Sequence, residues 1–158
     1  MKRAWALLLG LAALSAAGCP EPLPPIEDPD AFELDIPPQG LQGVVKDEPW
    51  SLLQSFAFEE AGGGYTLFFA PAPVTACERG TGAEEGVVTV YVAELGLQPW
   101  SADAVNELTL PDGASLSTEG GGIDLDLDAG GGNLEGGMIF DFDVSTKLEG
   151  EFLTPICP

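Results

Sequence analysis

The chain contains no histidine. Without an imidazole, the usual Ser–His–Asp and Cys–His arrangements for nucleophilic catalysis are excluded, and so are histidine-containing zinc sites. Cysteine is scarce too: Cys19, Cys77 and Cys157 are the full set, and no Cys-x-x-Cys pair occurs. Positive charge is scarce as well. Five Lys and Arg stand against 26 Asp and Glu, for a net charge of −21. Lys2 and Arg3 lie at the extreme N-terminus. Beyond residue 18 only Lys46, Arg79 and Lys147 remain, and the net charge there is −23. Nucleic acids and anionic membrane surfaces need clustered Lys or Arg, so neither is a partner of this surface. No apolar run approaches the roughly 20 residues that a spanning helix needs.

What is present begins with MKRAWALLLGLAALSAAGC. Lys2 and Arg3 precede an uncharged apolar run, Ala4–Ala17, which ends in small residues. A charged start, a short apolar middle and a small-residue end are the marks of a secretory signal peptide. Leu14-Ser15-Ala16-Ala17-Gly18-Cys19 resembles the lipobox of bacterial lipoproteins, although Ala16 stands where that family most often has Leu. The resemblance covers residues 1–19. It implies cleavage after residue 18, acylation of Cys19 with diacylglycerol and an amide-linked fatty acid such as palmitate, and membrane attachment through that lipid. Two or more acyl chains hold a protein stably, whereas one does not. Pro20 rather than Asp follows the cysteine, which by the same resemblance implies the outer rather than the inner membrane, with the displayed face left open.

An exported chain with one cysteine lipidated keeps two thiols. Cys77 and Cys157 are therefore expected to form a disulfide; two free thiols or a bond to another chain are the alternatives. Residues 20–40 hold half of the fourteen prolines together with six acids. Neither helix nor central strand tolerates that density. The expected organisation is a signal peptide over 1–18, a lipidated cysteine and acidic proline-rich tether over 19–40, and one β domain over 41–158.

Within 41–158 the apolar pattern is β. Trp50, Leu52, Phe56 and Phe58 are expected on one face of a strand that pairs with Tyr65, Leu67 and Phe69 across an Ala61–Gly64 turn. Val87–Glu94 is expected to be buried on both faces. Leu108–Leu110 and Ala114–Thr118 flank a Pro111-Asp112-Gly113 turn. Ile123, Leu125 and Leu127 alternate with Asp124, Asp126 and Asp128, and Phe140, Phe142 and Val144 share a face opposite Asp141 and Asp143. The triple glycines at 62–64, 120–122 and 130–132 read as turns. One short helix is expected near 101–107, capped by Ser101 and stapled by Trp100 against Val105. The fold class is all-β: an antiparallel sandwich or barrel-like domain of about eight short strands.

One constellation bears on chemistry. Asp124-x-Asp126-x-Asp128 with Glu135 at position twelve has the ligand spacing of an EF-hand Ca²⁺ loop. Ala129 stands where that loop needs glycine, Gly131 where it has an apolar residue, and no flanking helices are expected. A hairpin version adds Asp141 and Asp143, if the register places them on the same face. The simpler account is a solvated acidic face. No other cofactor is indicated. Trp50 and Trp100 fit core packing better than a sugar platform. The sequence thus leads to a non-enzymatic structural or interaction module of the cell envelope, with an unidentified protein or glycan partner. A Ca²⁺-assisted binding or adhesion domain is the alternative, and a carboxylate-based hydrolase comes third.

Overall fold

The computed structural model describes residues 33–100 and 106–158. The signal-peptide and lipobox segment, Cys19, most of the tether, and the greater part of the expected helix lie outside the described residues. Residues Asn106 and Glu107, placed at the end of that helix, instead open a strand.

The domain is all-β. Its strands are β1 (Gln42–Val45), β2 (Glu48–Ser51), β3 (Gln54–Glu59), β4 (Tyr65–Ala70), β5 (Val88–Val92), β6 (Gly96–Pro99), β7 (Asn106–Thr109), β8 (Ser115–Ser117), β9 (Gly120–Leu127), β10 (Asn133–Asp143) and β11 (Thr146–Cys157). One 3₁₀ turn, Arg79–Ala83, sits in the long loop between β4 and β5. Hydrogen-bonded neighbours run β6-β9-β10-β11-β3-β4-β5-β7-β8, and β1 with β2 branches off beside β11. The pairings are antiparallel except where the end of β11 runs parallel to β3, with Ile156 opposite Ala57 and Cys157 opposite Phe58. Among the described residues eleven strands replace the eight expected, because several are only three or four residues long.

The sheet curls so that its two halves face each other. Leu125, Met138, Phe140, Leu148 and Phe152 from β9–β11 meet Leu67, Phe69, Val88, Val90 and Leu108 from β4, β5 and β7 in one core. Phe152 and Phe69 touch edge to face, 4.7 Å between centroids. A smaller cluster lies on the opposite face of β3 and β4. There Phe56, Phe58, Phe68 and Val87 pack beneath the β4–β5 loop, and Phe56 stacks on Phe68 at 5.2 Å.

That second cluster corrects the expected facing of β3. Trp50 belongs to the main core, yet Phe56 and Phe58 face away from it. The strand breaks at Leu52–Leu53, where the chain changes partner. The Leu52 amide donates to Leu41 O, and the next amide donates to Ala70 O. An even spacing across such a break no longer keeps one face. β5 is corrected as well: Val88, Val90 and Val92 are buried, but Tyr91 between them is exposed. Leu127 and Val144, expected inside, are exposed because β9 ends at the first and the β10–β11 turn carries the second.

Two glycines shape the acidic half of the sheet. Gly121 lies within β9, not in a turn as expected, with φ of 105°. A Cβ there would overlap the Ile139 carbonyl of β10. Gly150, with φ of 131°, lets the lead-in segment approach β11; a Cβ would lie 2.7 Å from Gln39 O. At that point the Glu151 amide donates to Gln39 O (2.7 Å) and Glu151 O accepts from the Leu41 amide (2.9 Å). The segment just before Leu41, expected as tether, is thus pinned to the sheet.

Candidate functional site

The acidic hairpin forms as β9 and β10, and its register decides what the carboxylates can do. Residues directly opposite in an antiparallel ladder share a face. Asp126 stands opposite Glu135, and Asp124 opposite Gly137. On the far side of β10, Gly137 stands opposite Glu151 and Glu135 opposite Leu153. Asp124, Asp126, Glu135 and Glu151 therefore project from one exposed face. They line an open groove of about 680 Å³. Ile36 of the lead-in segment closes part of it, since a Cβ on Gly137 would lie 2.6 Å from Ile36 Cγ2.

Asp128 is elsewhere. It sits past the end of β9 and organises the turn into β10. Its Oδ1 accepts from the amides of Gly132 (3.0 Å) and Asn133 (3.2 Å), and its Oδ2 from Asn133 Nδ2 (2.7 Å). These donors, the Asn133 side chain first, hold its carboxyl below the usual 3.8. The candidate Ca²⁺ set thus divides: Asp124, Asp126 and Glu135 share the groove, whereas Asp128 is committed to its own turn. Among the described residues no group of three or more acids comes together as a metal-holding cluster. The physical reason is the extended backbone. Two residues of strand advance about 6.8 Å, so alternate aspartates spread along a face, while an EF-hand loop coils its ligands around one point.

Asp141 and Asp143 lie at the opposite end of the hairpin. Asp141 faces Lys147 across the ladder, and a register shift follows it. Asp143 pairs with Lys46 and accepts from the Ser145 amide (2.9 Å) and hydroxyl (3.0 Å). The Lys46 ammonium, then the Ser145 amide, hold its carboxyl far below the usual range. This clasp also fixes the β1–β2 turn. Lys46 and Asp47 both have positive φ, 51° and 65°, as a two-residue hairpin turn of type I′ requires. The Asp47 amide donates to Ser145 O (3.0 Å), which ties the two turns together. The other ion pairs among the described residues are Arg79–Glu60 and Lys147–Glu149.

Cys77 and Cys157 are joined, with Cα atoms 5.5 Å apart. Cys157 is the last residue of β11 and packs with the phenylalanine cluster. The Arg79 guanidinium covers the same cluster, 4.4 Å above the Phe58 ring.

A feature that periodicity did not foretell is a cleft of about 780 Å³ among the β1–β2 hairpin, the β4–β5 loop and the Leu110–Asp112 turn. Val45, Trp50, Val74 and Leu110 supply apolar wall, with Pro49, Pro71 and Pro111 at its margins. Trp50 is only 5% exposed, so its ring has no free face for a sugar. Its Nε1 donates to Gly86 O at 2.9 Å. Prolines and paired acids spaced through the sequence were the available signal, but the three walls come from segments far apart in the chain.

No protein family, no curated protein and no solved structure matches this chain. Chemically, then, the domain offers two distinct surfaces: a wide acidic groove on the β9–β11 face, and an apolar cleft edged with carboxylates. Among the described residues no helix is long and apolar enough to cross a membrane.

Proposed function

We propose that this chain is a lipid-anchored lipoprotein of the bacterial cell envelope, most fittingly of the outer membrane, whose β domain is a non-enzymatic interaction module. The observation that carries the anchor is Leu14-Ser15-Ala16-Ala17-Gly18-Cys19 behind a charged start and a short apolar run. The Cys77–Cys157 bond supports an oxidising compartment, where disulfides persist. The interaction role rests on the acidic groove and the apolar cleft. Asp124, Asp126, Glu135 and Glu151 are all exposed, whereas acid–base catalysis by paired carboxylates needs unlike environments. A calcium-assisted role would require Asp128 to leave the turn it caps.

The anchor is tested by expressing the chain in a Gram-negative host supplied with an alkyne-bearing palmitate analogue. The expected product begins at Cys19, carries the label and a matching lipid mass, and sediments with outer membrane. Cys19→Ser should be exported without label. A labelled Cys19→Ser product, or an unlabelled parent cleaved elsewhere, would overturn the reading.

A further inference from the structure

We propose that the cleft beside Trp50 is a docking site for an extended peptide segment in which apolar residues alternate with lysine or arginine. The inference deepens the interaction-module reading and rests on it, but does not depend on the lipid anchor.

The floor of the cleft is apolar and offers no donor from its largest side chain. Trp50 Nε1–H is already used by Gly86 O, so what the ring edge presents is carbon. Val74 and Leu110 continue that surface. A volume of about 780 Å³ falls within the range in which clefts bury organic ligands, commonly about 300–1,000 Å³. Burial of one or two aliphatic side chains therefore supplies the attraction.

The edge of the cleft decides the sign of the partner. Glu48, Glu84, Glu85 and Asp112 all line it and all are exposed. Among the described residues that line the cleft Lys46 is the one cation, and its ammonium is held by Asp143. The carboxylates come from three separate segments, so the lining is acidic in more than one of its walls. A single amphiphilic cation would meet one of them. A peptide with basic residues on both sides of an apolar one can meet acids from more than one segment while its apolar side chain enters the floor. Complementary charge at such an edge raises the encounter rate and rejects acidic competitors.

The test uses the exported chain carrying Cys19→Ser and follows the Trp50 indole N–H resonance, with Trp100 as internal reference. The probe is acetyl-Lys-Leu-Lys-Leu-Lys-amide. It should move the Trp50 resonance saturably while leaving Trp100 in place. Acetyl-Glu-Leu-Glu-Leu-Glu-amide and acetyl-Lys-Ser-Lys-Ser-Lys-amide should not saturate. Replacing two exposed rim acids, Glu84→Gln with Glu85→Gln, should weaken binding about tenfold at low salt, consistent with the modest worth of each exposed ion pair. An unchanged Trp100 resonance and melting temperature would show that this variant is folded.

The proposal is overturned if the lysine–serine peptide binds equally well, which would mean general attraction to an acidic surface. It is also overturned if octylammonium binds more tightly than the peptide, or if the Trp50 resonance shifts with protein concentration alone, which would mark a second copy as the occupant. Unchanged affinity in the folded double variant overturns it too. Acylation is read in a separate assay, so failure of either reading leaves the other standing.

Discussion

Breaking the Cys77–Cys157 bond should remove a large part of the stability of the domain, and chiefly through the unfolded chain. The two cysteines are 80 positions apart. Opening a loop of that length returns about 4.5 kcal/mol of conformational freedom to the denatured state at 25 °C. Native-state changes in Cys77→Ala with Cys157→Ala are smaller and oppose each other. Trimming Cys157 from the phenylalanine cluster costs about 1 kcal/mol. Cys77 has φ of 58°, and freeing it to relax returns roughly 1 kcal/mol. The expected loss is therefore about 3–5 kcal/mol, a sizeable share of the 5–15 kcal/mol typical of a domain. Urea unfolding followed by tryptophan fluorescence measures it, with the oxidised parent, the parent in dithiothreitol and the double alanine variant compared. If the bond acts on the unfolded ensemble, the reduced and variant chains should also show a steeper dependence on urea, because their denatured states expose more surface. A loss below about 1 kcal/mol, or a full loss with an unchanged urea slope, would refute the reasoning.

Three further outcomes are expected. Gly121→Ala should destabilise the domain by roughly 3 kcal/mol in thermal or urea melts, since it combines a left-handed φ with a clash against the β10 backbone; a neutral result would mean that β9 can move away from β10. Trp50→Phe should cost about 1–3 kcal/mol, because Gly86 O loses its indole donor, and the melt should be unaltered if that carbonyl finds water instead. Asp128 and Asp143 have folded-state pKa values below the usual 3.8. Their contribution is full above that value and is lost as pH falls through the lower folded values, so Asp128→Ala should flatten the acid limb of the stability curve between about pH 4 and the folded pKa, while Asp128→Asn should keep part of the turn intact.

The hairpins were the legible part of this chain. Leu108 opposite Leu116 and Met138 opposite Ile123 follow from alternating patterns bounded by turn residues, and so does the pairing of β3 with β4, though not its register, which sets Phe56 opposite Phe68 rather than beside Leu67 and Phe69. The all-β class follows from the same patterns. What periodicity could not carry was a change of partner within one strand. At Leu52–Leu53 two consecutive amides bond to different segments, one just before β1 and the other β4, and the assignment of faces inverts after it. Composition misled at Gly120–Gly122, because glycine serves close backbone approach as readily as a turn. The acidic hairpin was found where it was expected, but ligand spacing along a sequence says nothing about convergence until the backbone is known to coil. The Trp50 cleft was illegible for the opposite reason: Glu48, Glu84 and Asp112 are far apart in sequence and become neighbours only through the curl of the sheet.

The pinning of the lead-in segment has a mechanical side. Any tension applied upstream of Gln39 enters the domain at Glu151, midway along its longest strand, where two hydrogen bonds grip the chain on either side of one residue. The load then spreads into β10 along one edge of β11 and into β1 along the other. At the far end of β11, Cys157 hands it to the β4–β5 loop through a covalent bond. The strand acts as a keel: it receives force in its middle and transmits it sideways, so pulling on the leading end does not begin by peeling away a terminal strand.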